Sequence, residues 1–319
     1  MNEVGWAFVG TSGWVDSRFA PSVQRAGHRI VGAFGSSPEG SARFAERYGC
    51  KAYGSLAELL ADDAVQAVWV ASPTAYHPEH ALAAAEAGRA VLVEKPVAAD
   101  AASAHRMAEQ LARYDVLIGT AFQHRFNPGV AAVARALAHG RIGTMCSLTI
   151  HRAVSGPPRP TSWRMDPRLS GGWSISDLGT HLIDMARHLT GEVDFLAARL
   201  SSPGRGLALD DLSVVVLTHG EATITVRAAM GMVGPGSYIE VSGTEGWLRL
   251  SDFWTGGGRL LDHTGTEVEI PATDPYVAQV RAFSAAVRGA AWVGATLADG
   301  VRVAELTEAA RSFRACPAG

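Results

Sequence analysis

A chain of 319 residues is long enough for two domains that each bury a core, and 47% hydrophobic with 18% charged residues suits a folded protein rather than a disordered or fibrous one. With 28 basic and 31 acidic side chains, a formal charge of -3 and no basic block, nothing points to a nucleic acid or an anionic membrane surface as partner. Its 3 cysteines, Cys50, Cys146 and Cys316, fit neither a disulfide framework nor a zinc spacing, no basic leader opens the chain, and no run reaches roughly 18 apolar residues; a cytoplasmic protein without membrane anchor or bound metal is expected.

In chain order, VGWAFVG, HRIVGAF, AVQAVWVAS, RAVLVEK and DVLIGTA read as strands, separated by helices such as GSARFAERYG and EHALAAAEAG. Strands apolar throughout and divided by helices predict a parallel sheet covered on both faces, a doubly wound α/β domain. Past Arg125–Pro128 the texture changes. One helix, GVAAVARALAHG, leads to MCSLTIHRAV, DLSVVVLTHG and EATITVRAAM, strands that alternate or follow one another across glycine-containing turns, as in an antiparallel sheet. The domains are therefore placed at 1–121 and 122–319, the first for a dinucleotide, the second for substrate and self-association.

The stretch FVGTSGWVDSRFAPSV follows the first strand and opens a helix, where a dinucleotide's pyrophosphate sits on the helix N-terminus. Gly10, Thr11, Ser12, Gly13 and Trp14 are the candidate contacts, with Ser12 where the glycine fingerprint usually has its second glycine. The next strand ends AFGSSPEG, without the acid that would grip the ribose 2′-hydroxyl of NAD. Ser36 and Ser37 offer hydroxyls to a 2′-phosphate, so NADP is favoured over NAD, although Glu39 is within sequence reach of a ribose.

Two further stretches carry chemistry. Glu94 and Lys95 stand at the end of an apolar strand, directly before Pro96, where charge needs a reason. In SDLGTHLIDMARHLTG, Asp177, His181 and Asp184 are spaced i, i+4 and i+7, one face of a helix. A histidine titrates near neutrality and a carboxylate one turn away stabilises its imidazolium, as proton transfer from an alcohol requires. Asp177 also stands where a helix N-cap belongs. As metal ligands the three lack a second cluster to complete a site.

Together the glycine loop, ASPTAYH, VEKPVA, QHRFNP, WRMDP and GGWSISDLGTHLID, in this order, resemble the glucose-fructose oxidoreductase / inositol dehydrogenase (Gfo/Idh/MocA) family over nearly the whole chain. The resemblance implies a Rossmann domain followed by an α/β domain with a large open, mainly antiparallel sheet, whose outer face builds a homodimer or homotetramer. It further implies NAD(P)-dependent hydride transfer to or from a secondary alcohol or ketone of a sugar, cyclitol or related polyhydroxylated small molecule. Lys95 then holds the substrate oxygen, with a cis Lys95–Pro96 bond and Glu94 as its positioner, while Asp177 and His181 move the proton. Ser72, Pro73 and His77 line the cofactor, and Arg125, Asn127, Trp163, Arg164, Trp173 and Asp184 are candidate substrate contacts. Trp173 stands where relatives often have a third glycine. For His77 a buried structural role and for Asn127 a helix start are equally open. A regulator that binds nucleotide or sugar without turnover, or a reductase of an imine or dihydrodiol, would share this fold; Lys95, Asp177 and His181 together argue against the regulator, which needs no proton relay.

Overall fold

The computed structural model describes residues 3–156, 162–203, 207 and 209–313. It divides into two compact units, residues 1–123 with 276–301 and residues 124–275 with 302–319.

The first unit holds β1 (Gly5–Val9), β2 (Arg29–Phe34), β3 (Lys51–Ala52), β4 (Ala67–Val70), β5 (Ala90–Val93) and β6 (Ile118–Thr120) in the order β3-β2-β1-β4-β5-β6, every pair parallel. Burial on both faces is why β1, β4 and β5 carry no polar side chain: Trp6, Phe8, Trp69 and Leu92 are wholly buried. Phe19 stacks on Trp69 with ring centroids 4.5 Å apart, and Phe8 stacks on it from another side at 5.9 Å. The core also takes in Val280 and Phe283 of the helix Pro275–Val287. Phe283 lies 5.4 Å from Trp6, whose indole N–H donates to Ser284 at 3.1 Å. A second domain running unbroken from 122 to 319 is thus corrected: residues 276–301 return to the first unit because its sheet has an apolar face that this helix covers.

In the second unit β7 (Met145–Val154), β8 (Asp194–Ser201), β9 (Leu212–His219), β10 (Ala222–Met230), β11 (Ser237–Gly243), β12 (Trp247–Ser251), β13 (Gly258–Asp262) and β14 (Glu267–Ile270) form one sheet. Its order is β14-β13-β12-β11-β7-β10-β9-β8, antiparallel except for the β7–β10 pair. One face, with Leu148, Ile150, Ile224, Val226, Val241 and Leu250 buried, packs under the helices Pro128–Ala138 and Thr180–Thr190. The other carries Thr223, Thr225 and Arg227 of β10 and the half-buried Val214 and Val216 of β9. This is the period-two alternation of a sheet with one covered face. Among the described residues no helix is long and apolar enough to cross a membrane.

Candidate active site

In the first unit the ends of three neighbouring strands carry the predicted residues. β1 runs into Gly10, whose φ of +115° excludes other residue types and where a Cβ would stand 2.5 Å from the Ala71 carbonyl oxygen. Its N–H donates to the Phe34 carbonyl at 2.7 Å, closing the loop toward β2. Thr11 lies against Gly35 and Gly40, Ser12 starts the helical turn by accepting from Asp16 N at 3.0 Å, and a Cβ at Gly13 would meet nothing within 4 Å. Trp14 is 47% exposed, with the Arg18 guanidinium 5.7 Å over its ring. A backbone cradle that only glycine permits, opening into a helical turn with bare backbone at Gly13, fits the pyrophosphate of a nicotinamide dinucleotide. Beyond β2, Ser36 is exposed, whereas Ser37 is committed: it caps the helix Pro38–Tyr48 by accepting from Gly40 N at 3.2 Å and donates to Glu39 at 2.6 Å.

β4 leads into Ser72 and Pro73, and β5 into Glu94 and Lys95. The Glu94 carboxylate accepts from the Trp69 indole at 3.0 Å and its backbone N–H donates to Val70 at 2.9 Å, so both ends of Glu94 are tied to β4. Lys95, half-buried, follows at once, and the Lys95–Pro96 bond is cis, as expected. His77 lies between these loops. Its Nδ1 is 2.8 Å from the Pro96 carbonyl and its Nε2 2.8 Å from the Ser72 carbonyl. Only a doubly protonated ring donates to both, yet desolvation of this 1% exposed group outweighs the two carbonyls and pushes its pKa down to about 4. His77 thus ties the two loops together. Ser72 Oγ is engaged by His80 at 2.8 Å.

The second unit supplies the proton-moving candidates. The chain enters the helix Thr180–Thr190 through a π-turn, Ile175–Gly179, in which Thr180 N reaches back to the Ile175 carbonyl. Asp177 is thus offset from the simple i, i+4 relation to His181, and single π-turns of this kind recur at functional sites. Nor is Asp177 the N-cap. That position is Ser174, and the helix start is satisfied from outside by Asp210: its carboxylate accepts from Trp173 N at 3.1 Å, Ile175 N at 2.7 Å and Ser174 Oγ at 2.5 Å, and burial holds its pKa above the ordinary aspartate value. Asp177 instead lies 3.5 Å from Arg164 Nε, and Arg164 covers the Trp163 ring at 4.6 Å.

His181 is 6% exposed and packs edge-on against Trp254, with centroids 5.6 Å apart, and against His124 at 5.1 Å. Trp254 also touches His124 at 4.1 Å and carries the Arg152 guanidinium at 5.0 Å. Sequence reasoning missed Trp254, His124, Arg152 and Asp210. A signal existed for Arg152, a charge in register with Leu148 and Ile150 on the inward side of β7; Trp254 sits in a turn where no periodicity speaks. Four of the expected substrate contacts, Asn127, Trp173, Arg125 and Asp184, are buried or paired within this unit. The wholly buried Asn127 amide caps Gly129 N at 2.8 Å and donates to the Phe253 carbonyl at 2.6 Å, Trp173 is 5% exposed, and Asp184 accepts from Arg125 Nη2 at 2.6 Å and Nε at 3.1 Å.

Residues 4–122 match the family model for an oxidoreductase family with an NAD-binding Rossmann fold, and residues 130–249 match the GFO/IDH/MocA C-terminal domain. The chain is 30% identical over 313 residues to the 1,5-anhydro-D-fructose reductase of Ensifer adhaerens, spanning 93% of this chain and 92% of that one. To the inositol 2-dehydrogenase of Rhizobium meliloti strain 1021 it is 28% identical over 297 residues, 88% of each chain. The aldose-aldose oxidoreductase of Caulobacter crescentus, crystallised with glycerol, shares the fold over 97% of both chains with a TM-score of 0.87 at 21% identity.

Proposed function

Because the chain belongs to the GFO/IDH/MocA family of NAD-binding oxidoreductases, we propose that it transfers a hydride between NADP or NAD and a secondary alcohol or ketone of a sugar, cyclitol or related polyhydroxylated compound. One observation carries the reading: Gly10, Ser72 and Lys95 lie one or two residues past the ends of three adjacent strands, β1, β4 and β5, and β1–β4 is where the strand order reverses, the crevice in which doubly wound sheets bind ligands. The nicotinamide supplies hydride exchange when bound. Gly10 to Gly13 would hold its pyrophosphate by backbone N–H groups. The acid-free end of β2, with Ser36 exposed, supports NADP binding at least as well as NAD; Ser37 adds less, since its proton is given to Glu39.

Lys95 holds the substrate oxygen and polarises it. In oxidation His181 takes the hydroxyl proton, and the Asp177 carboxylate, oriented by Arg164, stabilises the resulting imidazolium. Trp163 and Arg164 frame the substrate side. The reading extends to a cytoplasmic homodimer or homotetramer joined through the sheet face that carries Val214 and Val216, supported by those apolar side chains opposite the covered face.

The test begins with sugars, cyclitols and their keto forms screened against both cofactors. On an active substrate, Lys95→Met and His181→Ala should each lower kcat by about 10²- to 10⁴-fold while cofactor Kd stays within a few-fold. If His181→Ala kept most activity, the proton assignment would fall. A tenfold calorimetric preference for NAD would remove the NADP assignment.

A further inference from the structure

Arg152 extends the inward row of β7 begun by Leu148 and Ile150, and the face it shares is the one the helices cover. Among the described residues its buried Nε has no acceptor and no carboxylate pairs with it. Other arginines of this unit are different: Arg125 grips Asp184 and Arg164 faces Asp177. What Arg152 has is the Trp254 ring, 5.0 Å away, and the same ring packs on His181. Loss of water lowers the Arg152 pKa, though a guanidinium stays charged. A half-buried cation without a counter-charge costs stability, and an aliphatic side chain would fill the same strand position without that cost. The aromatic face offsets part of the deficit and leaves the guanidinium N–H edge available to an acceptor in its plane.

We propose that Arg152 binds an anionic group of the substrate, a carboxylate in the first instance, so that the polyol turned over is a sugar acid rather than a neutral sugar. The proposal rests on the oxidoreductase reading above for the identity of the ligand as a substrate. A carboxylate is preferred because a single guanidinium offers it a matching pair of donors; a phosphate would present the same chemistry with more charge.

Calorimetric titration of the intact protein, saturated with NADP, with D-glucuronate, D-glucose 6-phosphate and D-glucose tests this. The wild type should bind glucuronate at least tenfold more tightly than glucose, Arg152→Met should bring the two within threefold, and Arg152→Lys should restore part of the difference. A tenfold advantage for glucose 6-phosphate alone would support the anion site and assign it to phosphate. Absence of any anion preference in the wild type, including no measurable binding of either anion, would overturn the proposal. So would an Arg152→Met protein that keeps the preference, its folding being read from an unchanged NADP Kd; if that variant does not fold, the wild-type ratio and Arg152→Lys decide. Binding is read without turnover. An anion preference with no NAD(P)-linked oxidation of any sugar keeps the Arg152 site and sinks the oxidoreductase reading, and turnover of neutral sugars without anion preference does the reverse.

Discussion

Removing one half of the Arg125–Asp184 pair should harm the second unit more than removing both. The Asp184 side chain is 1% exposed and that of Arg125 12%, and the contact is two-pronged, with Nη2 at 2.6 Å and Nε at 3.1 Å from the carboxylate. Both charges have lost their water and retain each other. A member left alone in such a site costs about 3–5 kcal/mol, whereas exchanging both for apolar side chains of similar volume is often near neutral. At about 2–4 °C per kcal/mol for a unit of this size, Asp184→Leu should lower its melting transition by about 6–20 °C. Arg125→Met should do nearly as much, and the double variant should be more stable than either single one. A double-mutant cycle read by thermal unfolding in near-ultraviolet circular dichroism gives the coupling, expected above about 2 kcal/mol. A drop of less than about 3 °C for Asp184→Leu, or strict additivity of the two changes, would show that the pair is hydrated and not structural. The same experiment separates this role from contact with a second substrate hydroxyl, which would raise KM without moving the transition.

Gly10→Ala should abolish cofactor binding in calorimetry and destabilise the first unit by about 1–3 kcal/mol from the backbone alone, since φ is +115° and the new Cβ meets the Ala71 carbonyl; normal NADP affinity would refute the cradle. His151 is wholly buried, and desolvation, reinforced by Arg227 and Arg152, pushes its pKa from 6.5 down to about 4. The unfolded chain then binds more protons between those two values, so stability present above pH 6.5 is lost as pH falls through this window, by up to about 3 kcal/mol. Urea midpoints at pH 7 and pH 4.5 measure the loss, and His151→Phe should reduce it; an unchanged slope would exclude His151 as its source. Light scattering at micromolar concentration should find a dimer or tetramer, and a monomer would leave the Val214 and Val216 face without the proposed role.

Wherever one local requirement acts on every residue of a stretch, the sequence alone was enough to determine the result. Burial on both faces admits only apolar side chains in β1, β4 and β5, so those strands and their parallel pairing were readable, as were the glycine of the first loop and the charges breaking the apolar run at Glu94. The alternation in β7, β9 and β10 likewise announced a sheet covered on one face. The tertiary structure alone decided everything that depends on which distant group fills a requirement. The helix Pro275–Val287 shows an apolar side whichever sheet it covers, and only packing assigns Phe283 to Trp6. A π-turn, unlike an α-turn, leaves no sequence period, so the offset of Asp177 from His181 was invisible, and the acid that satisfies this helix start, Asp210, comes from a loop much further along the chain. Trp254 reaches His181, His124 and Arg152 from a turn far from all three in sequence, because a sheet brings its strand ends together in an order unrelated to their order in the chain. That Arg125 and Arg164 face a carboxylate while none among the described residues pairs with Arg152 is a property of three-dimensional neighbourhood: all three are arginines in the sequence, and only folding decides what stands beside each.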